Sequence, residues 1–183
     1  EYELGKTLET AGLSLDDVES KHLGMPQSVA AIQSGAVDAG VFVGPFDTAA
    51  IQSGGFLLLY ADELVKPRME VSGLMYNTEW AAKNKDLMER YYLAYSRGVR
   101  EYCQAYHGGK NRQEVIDIIV RTGLEDRPDI LNKTPWPARN VNGRMNIPVL
   151  LDMQKYYIQE GLATKELGVD QLVNNQYVDA AHA

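Results

Sequence analysis

Few residues of this chain have the types and spacing that chemistry demands. The three histidines, His22, His107 and His182, are scattered, and no pair has the spacing that sets two zinc ligands on one helix face. The single cysteine, Cys103, falls inside a long helical pattern, where a buried packing role is expected. It also excludes an internal disulfide. Asp16-Asp17 and Glu125-Asp126 read as solvated cap residues, not as paired acid and base. No G-x-S-x-G elbow, P-loop or G-x-G-x-x-G turn is present. Nothing assembles a nucleophile, a base and an oxyanion donor. The residues therefore point away from an enzyme and call for no metal or cofactor.

Two stretches suit binding. In VGPFD (Val43–Asp47) an apolar run ends, Gly44 lets another group approach the backbone, and Pro45 opens a helix. In open α/β sheets ligands lie at the carboxyl ends of strands, beside helix N-termini. Phe46 offers such a ligand an apolar wall. The second stretch is the start of the first helix, where Tyr2 brings a ring and a hydroxyl. Tyr2, Gly44, Pro45 and Phe46 are the candidate ligand-binding residues. A ligand with a carboxylate, sulfonate or similar group suits two converging helix N-termini, and a neutral heterocycle is also compatible.

These residues need elements to hold them. AAIQSG occurs twice, at Ala30–Gly35 and Ala49–Gly54. With no third copy it is one local solution used twice, not a repeat array. Each copy reads as the last turn of a helix closed by a left-handed glycine. An apolar run follows each, Ala36–Val43 and Phe56–Ala61, and both are expected as buried strands. Val18–Gly24 and Met69–Tyr76 are further expected strands. Helix alternating with strand predicts a parallel α/β layer. The first helix, Glu1–Ala11, has no strand to feed it, so the chain reads as a fragment of a longer protein.

Beyond the polar connector Asp62–Arg68 the composition changes to long, tyrosine-rich helices. Asn77 and Thr78 cap one helix. A long helix is predicted from about Lys85 to Tyr106, with Leu87, Tyr91, Ala94, Gly98, Tyr102 and Ala105 on its inner face. Arg112–Gly123 and Pro148–Glu160 are further helices, the second with Leu150, Leu151, Met153 and Tyr157 inward. Trp136, in a proline-rich loop, reads as a cover on a core edge. The eleven tyrosines are expected to pack helices together.

The bulk numbers exclude more than they identify. At 183 residues the chain holds one domain or two small lobes. A net charge of -7 argues against a nucleic-acid binder. No apolar run approaches the roughly 20 residues of a membrane span.

Three blocks in order carry a family resemblance: EYELGKTLETAGLSLDDVE, PQSVAAIQSGAVDAGVFVGPF and LLLYAD. Together they resemble the ABC-transporter solute-binding proteins of the nitrate/sulfonate/taurine and THI5-like (NMT1) group. LMYNTEWAAKNKDLMERYYLAY and NGRMNIPVLLDMQKYYIQEGL continue the likeness toward the C-terminus. The resemblance implies a type II periplasmic-binding fold, α/β, with two lobes and a ligand in the cleft between them. Residues 1–65 would be most of lobe two without its first strand. Residues 66–183 would be the hinge return and the second half of lobe one, with Asp62–Arg68 as hinge. It also implies a periplasmic or lipid-anchored extracellular receptor whose partners are a small-molecule ligand and a membrane permease.

Two departures bear on the ligand. The acidic W-E-P turn of many sulfonate binders is V-G-P here (Val43–Pro45), which weakens a sulfonate assignment. The fungal THI5 enzymes carry a cysteine-rich motif that Cys103 alone does not supply. The competing readings are an effector-sensing domain of a transcription regulator, which an upstream basic helix-turn-helix would mark, and an enzyme on the THI5-like fold.

Overall fold

The computed structural model describes residues 1–55, 57–64, 69, 72–133 and 136–182. Among them the regular elements are α-helices and one 3-10 turn, Leu15–Asp17. The helices are α1 (Tyr2–Thr10), α2 (Met25–Ser34), α3 (Phe46–Gln52), α4 (Ala61–Leu64), α5 (Thr78–Lys83) and α6 (Lys85–Tyr106). They continue with α7 (Arg112–Arg121), α8 (Pro128–Lys133), α9 (Ile147–Gln159), α10 (Val169–Leu172) and α11 (Gln176–Ala180).

This overturns the expected α/β, type II periplasmic-binding-like architecture with parallel sheets. Among the described residues of Val18–Gly24, Ala36–Val43, Phe56–Ala61 and Met69–Tyr76 there is no strand. A strand exists only where a second segment completes its backbone hydrogen bonds. Among the described residues, the backbone bonds outside the helices are those of turns and caps, and none pairs these segments into a ladder. Several of their apolar side chains are uncovered: Leu58 is 73% and Met75 96% exposed. At the end of the second run, local bonding favours a helical turn. Glu63 N–H donates to the Tyr60 carbonyl at 2.9 Å, and Tyr60 N–H donates to Glu63 Oε1 at 2.8 Å. These bonds start α4 where the strand was expected to end. Of the connector Asp62–Arg68, residues 65–68 lie outside the described residues.

The helix ends follow the expected physics. Both AAIQSG copies close helices, with Gly35 at φ +70° and Gly54 at φ +98°. α2 opens with Pro26 in its first turn, where a missing N–H costs no hydrogen bond. Asn77 Oδ1 accepts from Trp80 N–H at 2.9 Å and caps α5.

The chain divides into two compact units. The first comprises Glu1–Pro67 and Ile119–Pro137, and the second Arg68–Ile118 and Ala138–Ala183. In the first unit α2 packs on α3, and α1 packs on α4 and on the 3-10 turn. Trp136 is buried there, with its indole N–H donating to the Leu131 carbonyl at 2.8 Å. In the second unit α11 packs on α6. A core of Ala81, Met88, Tyr92, Tyr177 and Val178 lies beneath that contact. Tyr76 meets Tyr177 edge-on with centroids 5.5 Å apart.

The buried face of α6 is offset by one residue from the expected stripe. Met88, Tyr92, Ser96, Val99 and Cys103 are buried, while Leu87 and Tyr91 are nearly half exposed. Ala105 alone of the expected six is buried. Two neighbouring stripes of α6 are both apolar, and the position of α11 decides between them. On α9 the buried residues are Val149 and Tyr156, again one step from the expected set.

Candidate functional site

Gly44, Pro45 and Phe46 form a tight turn in the first unit. Phe46 N–H donates to the Val43 carbonyl at 2.9 Å, and the Gly44–Pro45 peptide is cis. Pro45 occupies the N-cap position of α3, so the helix starts one residue later than the sequence suggests. All three residues are half-buried. Asp47 sits in the first turn of α3, and its Oδ1 accepts from Thr48 N–H at 2.5 Å and Thr48 Oγ1 at 3.2 Å. α3, which follows the turn, packs on α2. Gln33 Nε2 donates to Ser53 Oγ across that pair, and Ala50 is buried in it.

Gly44 has no positive φ, in contrast to Gly35 and Gly54. Backbone handedness therefore does not require glycine at this position.

Tyr2 lies in the first turn of α1 and is buried, at 2% exposure. Lys6 Nζ lies 5.7 Å from its ring centroid, within cation–π range. Lys6 also pairs with Glu9 at 3.1 Å. Two acids missed by sequence reasoning occupy the same helix start. Glu1 is the N-cap residue, and Glu3 stands in the first turn. Burial pushes the Glu3 carboxyl above the usual carboxylate range. His22 Nε2 lies 3.4 Å from Glu1 Oε1. Acids favour the first turn of a helix because of its dipole, and that was the available signal. Glu1 makes no side-chain hydrogen bond to the first amides of the helix.

Cys103 is buried in the second unit. Its thiol points to the Arg139 carbonyl at 3.6 Å, and burial raises its pKa. The Arg139 guanidinium stacks over Tyr102 at 6.0 Å, and burial pushes the Tyr102 hydroxyl up to about 12. A raised thiol is a weaker nucleophile at neutral pH. Among the described residues no group of three or more His, Cys, Asp or Glu side chains is placed to hold a metal ion.

The second unit also carries an open cleft of about 320 Å³, lined by Leu74, Met75, Tyr76, Trp80, Leu87, Met88, Tyr91 and Tyr92. Leu87 and Tyr91, expected in the core, form part of its wall. Its surface offers ring faces and methylene groups and no charge.

No helix among the described residues is long and apolar enough to cross a membrane. Comparison with curated proteins and with solved structures gave no match. Comparison with protein families matched the NMT1-like family over residues 1–120, more than half of the chain. This agrees with the resemblance carried by EYELGKTLETAGL, AAIQSGAVDAG and LMYNTEWAAKNKDLMERYYLAY, which lie within the matched residues. The chain belongs to the NMT1-like family.

Proposed function

We propose that the chain is the solute-binding component of an ABC importer, working outside the cytoplasm. It takes a small molecule from solution and presents it, chemically unchanged, to a membrane permease. The observation that carries this reading is the NMT1-like match over residues 1–120.

The ligand contacts in this reading are Gly44, Pro45 and Phe46; Tyr2, at 2% exposure, meets a ligand only if the start of α1 opens. Phe46 supplies an apolar wall for a flat ring. Gly44 leaves the backbone open to close approach, which accounts for a glycine whose φ does not demand one. With Phe46 as a ring wall and V-G-P in place of the acidic W-E-P turn, this reading favours a neutral, pyrimidine-like heterocycle over nitrate, a sulfonate or a carboxylate.

A thermal-unfolding screen against cytosine, taurine and nitrate tests this reading. A ligand at about 100 times its Kd adds about 2.7 kcal/mol of stability. Cytosine is expected to raise Tm in a concentration-dependent way, with taurine and nitrate inert, and mass spectrometry should recover cytosine unaltered. A Tm that none of the three moves, or a converted product, overturns the reading.

A further inference from the structure

The end of the second unit carries a histidine whose two ring nitrogens are both committed. Arg100 on α6 places Nη2 2.7 Å from His182 Nδ1. A guanidinium only donates, so Nδ1 must present its lone pair. His182 Nε2 lies 2.8 Å from the Asn142 carbonyl oxygen. A carbonyl only accepts, so Nε2 must carry the proton. Both contacts together fit one species, the neutral imidazole protonated on Nε2.

These contacts bridge distant parts of the chain. Arg100 and Asn142 are 82 and 40 residues away from His182. A second tie lies close by, where Arg144 pairs with Asp179 on α11. His182 N–H also donates to the Asp179 carbonyl at 3.1 Å, linking the two ties through the backbone. Beneath them Tyr177 and Val178 are buried against Tyr92 and Met88.

We propose that His182 is an acid-sensitive latch that holds the C-terminal helix α11 on α6. Among the described residues, the charged groups at this corner are Arg100 from α6, Arg144 from the 140–144 loop and Asp179 from α11. Asp179 is engaged by Arg144, so Arg100 is the group that His182 meets directly. Protonation of Nδ1 removes the acceptor and sets an imidazolium against a guanidinium at hydrogen-bond distance. The Asn142 bond survives, the Arg100 bond is lost, and repulsion replaces it. The latch then loosens, α11 opens more often, and the Tyr92–Tyr177 contact is exposed.

The test is hydrogen exchange of the α11 amides, Tyr177 to Ala180, in the intact protein between pH 8 and 5, corrected for the intrinsic rate. The account expects the opening equilibrium to rise at least about threefold as the imidazole protonates, a change typical of one lost hydrogen bond. His182→Gln, which keeps a donor and an acceptor but does not titrate, should flatten that dependence and retain α11 protection. Arg100→Ala should also flatten it. Imidazole nitrogen chemical shifts should report the Nε2–H tautomer at pH 8. A different tautomer, or an unchanged pH dependence in both variants, overturns the latch. So does an α11 opening equilibrium that is level with pH in the parent protein.

Discussion

Tyr92 on α6 and Tyr177 on α11 stack with ring centroids 5.7 Å apart and planes 23° from parallel. Both rings are buried, and Tyr92 also meets Tyr91 edge-on at 5.7 Å. Burial pushes the Tyr92 hydroxyl above its usual range. Tyr177→Ala removes the ring from a packed site, where aromatic deletions cost about 3–5 kcal/mol. Urea unfolding of this variant should show a midpoint lowered accordingly. A loss under about 1 kcal/mol would mean that the stack carries no weight in the core.

The offset of the α6 stripe gives a paired prediction. Met88 is 6% exposed and Leu87 45%. Met88→Ala should destabilise by about 2–5 kcal/mol, and Leu87→Ala by less than about 1 kcal/mol. Chemical denaturation of the two variants decides between the faces. A larger loss for Leu87→Ala would restore the stripe first expected from the sequence.

Glu3 yields a pH-dependent prediction. Burial raises its folded pKa above the unfolded value. The carboxyl then favours the fold when protonated. That contribution is complete below the unfolded pKa and disappears as pH rises through the raised folded one. At neutral pH the fold holds a poorly solvated carboxylate. Glu3→Gln should therefore raise stability at pH 7 by a few tenths to about 1 kcal/mol. The gain should vanish near pH 3, where both states are protonated. Thermal scans at the two pH values measure it, and an equal effect at both would contradict the burial argument.

Cys103 should be chemically quiet. Its thiol is buried and its pKa is raised by that burial. Ellman's reagent at pH 7.5 should label it only at the rate of unfolding, and at once in 6 M guanidinium. Rapid labelling of the folded protein would show an accessible thiolate.

The sequence was most legible where the physics is local. Gly35 and Gly54 both take positive φ at the helix ends where they were read as stops. The Asn77 cap and the extent of α6 were likewise visible, since each depends on a few neighbours. The strands were not, because pairing is a long-range property. An apolar run such as Leu57–Tyr60 looks the same whether or not a partner reaches it. The inner face of α6 was misplaced by one residue because Leu87–Tyr91 and Met88–Tyr92 are equally apolar stripes. At the candidate site the turn at Gly44–Phe46 was legible from its residue types. Tyr2 was read as a ligand contact while the tyrosines as a group were expected to pack helices, and its burial follows the packing role.

The most direct test of the receptor reading is calorimetric titration of the protein with cytosine, beside Gly44→Val and Phe46→Ala variants. The account predicts saturable binding at one site. It predicts at least tenfold weaker binding in both variants, about 1.4 kcal/mol, with Tm of the free proteins within a few degrees of the parent. No saturable heat with the parent, or parent-like affinity in two folded variants, would contradict it.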